Sequence, residues 1–186
     1  MKDGVLEEGE RLLKLSLDFN AFDFLKKYKN FNFDTFKDII DLKIAVISLT
    51  AFFELFIKWA ISLESKEDIW VRSKSDSKRS FNIEDYETGK FQSESLFSCL
   101  KIAVDKKWLT ETDKKLILDV EEIRNSIIHF EVTGNTRFFD GYSLLLTKSI
   151  FDNSNTIISS LIKKHFSNFS NHLKIEYKDL IDFYVR

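Results

Sequence analysis

Not one proline interrupts the 186 residues of this chain, and only five glycines occur in it. Proline in a helix interior costs about 3 kcal/mol and glycine about 1 kcal/mol relative to alanine, so a chain nearly without them lacks the usual helix stops. A sandwich or barrel would need turn residues roughly every 8–12 positions. Here long apolar stretches alternate with short polar breaks, which predicts an all-α fold: a single helical bundle of about five to six helices, one domain over residues 1–186. With 44% hydrophobic and 31% charged residues the chain is long enough to bury a core, and nineteen phenylalanines supply much of its filling.

Residues 6–27 carry Leu12, Leu15, Phe19 and Phe22 at helical steps, followed by the polar break YKNFNFD. Asp34 or Thr35 is placed to cap a long helix ending near Ser65. Residues 65–92 show no sustained period and are rich in Ser, Asp, Lys and Glu, a long loop in which Arg72, Lys74, Lys78 and Arg79 offer positive charge. Ser93 can cap a short helix to about Lys107, and Thr110 with Asp113 opens the next as a capping box that Gly134 closes. Residues 142–165 return to helical spacing. Residues 173–184 read as a last helix, although HLKIEY alone fits a strand equally well.

The formal charge of -2 creates no general positive field, so any nucleic-acid contact has to be local. Cys99 is a single cysteine and fits a reducing compartment, and the opening MKDGVLEEGE carries acids where a secretory signal would be apolar. Both point to the cytoplasm. Residues 39–63 resemble a membrane span in outline, but Lys43, Glu54 and Lys58 interrupt them, and the longest uncharged run, residues 44–53, falls far short of the roughly 20 residues a span needs. A buried central helix and no membrane are expected. His165 and His172 lie in a polar stretch, and no spacing resembles a zinc site, so neither metal nor cofactor is expected.

The stretch EEIRNSIIHF, residues 121–130, carries the chemistry. At roughly 100° per residue, with Leu116 at zero, Leu116, Val120, Ile123, Ile127 and Phe130 lie within about 40° of one direction, a single apolar face. Glu121, Asn125 and His129 fall near 140°, 180° and 220°, away from that face, and Arg124 lies on its flank near 80°. Ile128, near 120°, is an apolar residue among polar ones, as happens when a second chain covers the surface. Asn125 and His129 are one helical turn apart, so the amide can orient the imidazole. An arginine grips a phosphate through a planar pair of N–H groups and never loses its charge, while a histidine exchanges a proton near neutral pH. Together they suffice for attack of a ribose 2'-hydroxyl on the adjacent phosphate, which points to RNA.

RNSIIH resembles the signature of the HEPN superfamily: arginine, a polar residue, a short spacer, then histidine. The segments AFFELFIKWA and GKFQSES, taken with RNSIIHF, are also similar to a bacterial HEPN-like group of uncharacterised proteins carrying ELxxK, a GxFxS turn and RNxxxH in that order. The resemblance covers about residues 38–131. It implies a small HEPN-like helical domain, a homodimer in which two motif helices meet, and RNA cleavage without metal by both copies of Arg124 and His129. Family members serve as toxins or phage-defence effectors, so an antitoxin or regulatory protein is an implied partner. Toxins paired with a nucleotidyltransferase antitoxin usually carry tyrosine two positions after the histidine, where this chain has Glu131.

The expected catalytic set is therefore Arg124 on the scissile phosphate, His129 as general acid or base and Asn125 orienting, with Ile128 in the dimer interface and Glu54, Lys58 and Glu121 in support. Lys43, Ile47, Thr50, Glu54 and Lys58 share a face of the central helix. That face reads either as an exposed edge with a Glu54–Lys58 pair or as a support that brings Glu54 beside Arg124. The reading from a different class is a catalytically inactive HEPN-like module that binds a partner or a nucleotide through the same surface.

Overall fold

The computed structural model describes residues 8–18, 36–71, 92–133 and 141–185. Among them the chain is all-α apart from one short ladder: α1 (Glu8–Asp18), α2 (Phe36–Ser62), α3 (Leu96–Asp105), α4 (Glu111–Thr133), α5 (Gly141–His165), α6 (Asn171–Glu176) and α7 (Lys178–Val185). A 3₁₀ turn over Lys66–Ile69 leads into β1 (Trp70–Val71), which pairs antiparallel with β2 (Gln92–Ser93), Trp70 opposite Ser93. The expected caps Asp34, Thr35 and Gly134, the basic residues Arg72, Lys74, Lys78 and Arg79, and Phe19 and Phe22 lie outside the described residues.

Helix α2 is the hub, with α1, α3 and α4 all packed against it. Leu49, Phe53, Phe56, Ile57 and Ile61 are fully buried, and Phe52 stacks on Phe56 with ring centroids 5.3 Å apart. A helix covered on several sides cannot carry one narrow apolar stripe, which is why its sequence is greasy nearly all round. Its buried hydroxyls turn inward to the backbone: Thr50 donates to the Val46 carbonyl at 3.0 Å and Ser62 to that of Trp59 at 2.7 Å. Lys43–Ser62 is long and apolar enough to cross a membrane by length and composition, and 72% of its most apolar stretch is covered by the rest of the fold.

Local signals place the neighbouring helices. Ser95, not Ser93, caps α3 by accepting from the Ser98 N–H, because Ser93 is taken into β2. The Thr110–Asp113 box forms as expected: the Thr110 N–H donates to the Asp113 carboxylate at 2.8 Å, and the Asp113 N–H donates back to the Thr110 hydroxyl at 3.1 Å. Between α3 and α4 the chain turns through Lys107 at φ 58°, a left-handed position usually given to glycine. The Lys164 ammonium of α5 donates to the Lys107 carbonyl at 2.7 Å and holds that turn. The expected last helix is present as two, α6 and α7, broken at Tyr177, so HLKIEY is helical rather than a strand.

His165 departs from its expected polar setting. It ends α5 with only 5% of its surface exposed, its ring perpendicular to Trp108 at 4.9 Å and near-perpendicular to Trp59 and Phe56 at about 6 Å. Phe151, Ile158, Leu161 and Ile162 are buried along the same helix, so helical spacing carries His165 inward with them. Its Nε2 has no oxygen or nitrogen partner. Burial first, then the Lys164 ammonium, push its pKa down to about 4, against a smaller opposing pull from Glu64.

Above pH ~6.5 both folded and unfolded chains hold this ring neutral. Below it the unfolded chain takes up a proton that the folded chain refuses, so stability falls as pH drops from about 6.5 toward 4. Replacing His165 by Phe should therefore remove about 2 kcal/mol of the stability difference between pH 7 and pH 5. Urea unfolding at the two pH values measures it; an unchanged difference would show that His165 is not the group responsible.

Candidate functional site

Helix α4 is clasped by α2, α3 and α5. Three neighbours widen its buried sector beyond the single expected stripe. Val120 and Ile127 are buried as anticipated and Leu116 and Ile123 partly so, but Ile117, near 100° on the same wheel, is fully buried too. That carries the covered sector round to the Arg124 position, and Arg124 is half-buried rather than on an open flank. Asn125 and Glu121 are also half-buried, whereas Glu122 on the far side is exposed.

The Arg124 Nη1 donates to the Asn125 Oδ1 at 2.7 Å. A guanidinium has donors only, so the amide must turn its oxygen toward it and its NH₂ away, which removes the usual ambiguity in placing an asparagine side chain. Among the described residues no carboxylate pairs with Arg124, even though Glu121 stands one turn earlier at a spacing that commonly pairs. The result is a permanent cation, partly withdrawn from water, tied to a neutral group. Most of its N–H donors are left for an anion from outside, and a phosphate oxygen suits that geometry. Ile128 and His129 belong to α4 by their backbone, and their side chains lie outside the described residues.

The polar face of α2 settles differently from either expectation. Lys58 is only 4% exposed, and its ammonium donates to Glu54 Oε1 at 2.5 Å and to Ser93 Oγ at 3.1 Å. Thr50 is buried and Ile47 partly exposed, so the face is an edge at one end only. The Glu54–Lys58 pair forms, and Glu54 does not reach Arg124 among the described residues. The physical reason is that a buried ammonium requires an anion within contact, and its own helix offers one a turn away. Ser93, the third member of this group, was not anticipated. The signal was a lysine set between Phe56, Ile57, Trp59 and Ala60 with a glutamate four residues before it, a pattern that marks a buried pair.

Cys99 is buried near Lys58, and desolvation pushes its thiol up to about 11, so it is protonated and unreactive at neutral pH. His172 is exposed and faces Glu176 at 3.3 Å along its own helix. Among the described residues no three His, Cys, Asp or Glu side chains converge as they would to hold a metal ion. Comparison of the chain with protein-family models, with curated proteins and with solved structures finds no match in any of the three.

The Lys58–Glu54 pair makes an asymmetric prediction. Its cation is buried, while its carboxylate side chain keeps 32% exposure. Glu54→Ala leaves an uncompensated buried charge and should cost about 3 kcal/mol, whereas Lys58→Met leaves a carboxylate that water can reach and should cost less. Adding Lys58→Met to Glu54→Ala should recover much of the loss. A denaturation cycle in which Glu54→Ala is the milder single change would show that the ammonium is not held as described.

Proposed function

We propose that this chain is a metal-independent endoribonuclease of HEPN type, acting in the cytoplasm as a toxin or phage-defence effector. The observation that carries the reading is the half-buried Arg124 guanidinium, whose partner is the neutral Asn125 amide rather than a carboxylate. A cation held this way keeps its full attraction for a phosphodiester. In RNA the adjacent 2'-hydroxyl supplies the nucleophile, and His129, next along the helix, supplies proton transfer. The RNxxxH spacing supports the same assignment by its resemblance to the HEPN signature. In this reading two copies of α4 meet through the surface that includes Ile128 and set two such pairs in one cleft, and a regulatory protein or antitoxin restrains the activity.

The test is RNA cleavage by the purified chain in EDTA, with the ends of the product identified. Wild type should leave a 2',3'-cyclic phosphate and should not cut an all-deoxy strand. Arg124→Ala and His129→Ala should each slow cleavage by at least ~10²-fold while leaving folding intact, and Arg124→Lys should also be poor because an ammonium cannot make the paired contact. Ile128→Asp should weaken dimerisation, read by sedimentation, since it places a charge in the interface without a partner. Phosphate or nucleotide binding that depends on Arg124, without cleavage of any RNA tried, would instead favour the inactive binding module. Activity that disappears in EDTA and returns with Mg²⁺ would point to a different mechanism.

A further inference from the structure

The proposed reaction needs two proton transfers: one from the attacking 2'-hydroxyl and one to the departing 5' oxygen. Arg124 can make neither, because a guanidinium does not lose its proton in a protein. One histidine cannot be both base and acid in the same displacement unless it moves the proton from one oxygen to the other. A second group is therefore wanted, and the geometry of α4 offers one.

Resting on the ribonuclease reading above, we infer that Glu121 is the general base that deprotonates the 2'-hydroxyl and that His129 is the general acid. Glu121 is half-buried on the side of α4 that carries Arg124 and Asn125, lying near 140° between them at about 80° and 180°. Among the described residues its carboxylate has neither an ion pair nor a hydrogen bond. That is unexpected on elementary grounds. An acid three residues before an arginine on one helix face ordinarily pairs with it, and here the arginine instead donates to Asn125 at 2.7 Å. The other acids nearest on the helix, Asp119 and Glu122, are exposed and point elsewhere on the wheel.

The same hydrogen bond assigns the histidine its role. With Oδ1 held by Arg124, Asn125 has only its NH₂ to offer. An NH₂ can meet an imidazole only through a nitrogen lone pair. A histidine oriented by Asn125 then carries its proton on the other nitrogen, and under load presents an acid to the substrate rather than a base.

The step balances as a single displacement. The Glu121 carboxylate takes the 2'-hydroxyl proton, the 2' oxygen forms a bond to phosphorus, and the bond from phosphorus to the 5' oxygen breaks. The imidazolium of His129 gives its proton to that oxygen, and Arg124 holds the non-bridging oxygens throughout. A 2',3'-cyclic phosphate and a 5'-hydroxyl result, and exchange of protons with water resets both side chains.

RNA in which sulfur replaces the scissile 5' oxygen separates the two roles, because a thiolate leaves as the anion and does not require an acid. On ordinary RNA both Glu121→Gln and His129→Ala should be at least ~10²-fold slower than wild type. On the sulfur substrate His129→Ala should recover to within about tenfold of wild type, while Glu121→Gln should stay slow. Formate added to Glu121→Ala should restore cleavage at least tenfold, a rescue that a merely structural role would not show. Glu122→Gln, on the exposed side, should match wild type throughout. Undiminished cleavage by Glu121→Gln, or recovery of that variant rather than His129→Ala on the sulfur substrate, overturns the assignment and leaves the ribonuclease reading intact. A wild type that cuts neither RNA overturns both.

Discussion

Covering α2 on several sides forces every polar group it carries to find a partner inside the protein. Leaving a buried hydroxyl without a hydrogen bond costs about 1–3 kcal/mol, and an unpaired charge costs far more. Thr50 and Ser62 meet that demand through their own helix backbone. Lys58 cannot, and recruits Glu54 one turn back and Ser93 from the short ladder. That ladder joins two chain segments far apart in sequence, so the buried ammonium both depends on β2 and helps to seat it against the hub. Replacing the pair by apolar groups of similar size need not destabilise the fold. What the ion pair adds is a fixed register between α2 and β2.

The same hub sets the stiffness of the candidate site. Helix α4 lies against α2 and is also held by α3 and α5, with Ile117, Val120 and Ile127 buried in that contact. Groups carried on such a helix move only if the core moves, and catalytic groups gain most when they are held in position before substrate arrives. The aromatic cluster of Phe56, Trp59, Trp108 and His165 braces the end of α5 against α2 and the turn that precedes α4. Lys164 fastens the same turn from α5 through the Lys107 carbonyl. The supports of the site are therefore mostly apolar and remote from its chemistry.

How much of this was readable in advance depends on whether a feature is local. The Thr110–Asp113 box is read within four residues, and it appears as expected. The long central helix and the helical class follow from periodicity and from the missing prolines. Features that depend on which other helices arrive were misplaced. Ile117 is buried because α4 has three neighbours, and a wheel centred on one stripe left it aside. His165 looked polar among Lys163, Lys164 and Ser167, yet the inward spacing from Phe151 through Leu161 decides its side of the helix. Ser93 passed for a cap because capping is written locally, whereas its hydrogen bond to Lys58 spans 35 positions. Pairing of Glu54 with Arg124 was conceivable only while the burial of Lys58 was unknown.

The choice of partner at Arg124 has an electrostatic consequence that neither residue shows alone. Had the guanidinium paired with Glu121, the pair would be close to neutral, and an incoming phosphate would have to displace a carboxylate in a partly desolvated setting. Donating to Asn125 costs none of the charge. The net charge of the whole chain, -2, supplies no attraction of its own, so the local field at this one cation is what an RNA backbone would meet. An unpaired carboxylate one turn away weakens that field somewhat, which is a cost if Glu121 is idle. The cost is offset if the carboxylate accepts the proton of the attacking hydroxyl, because then the repulsion it exerts on the bound phosphate is relieved as the transition state is approached.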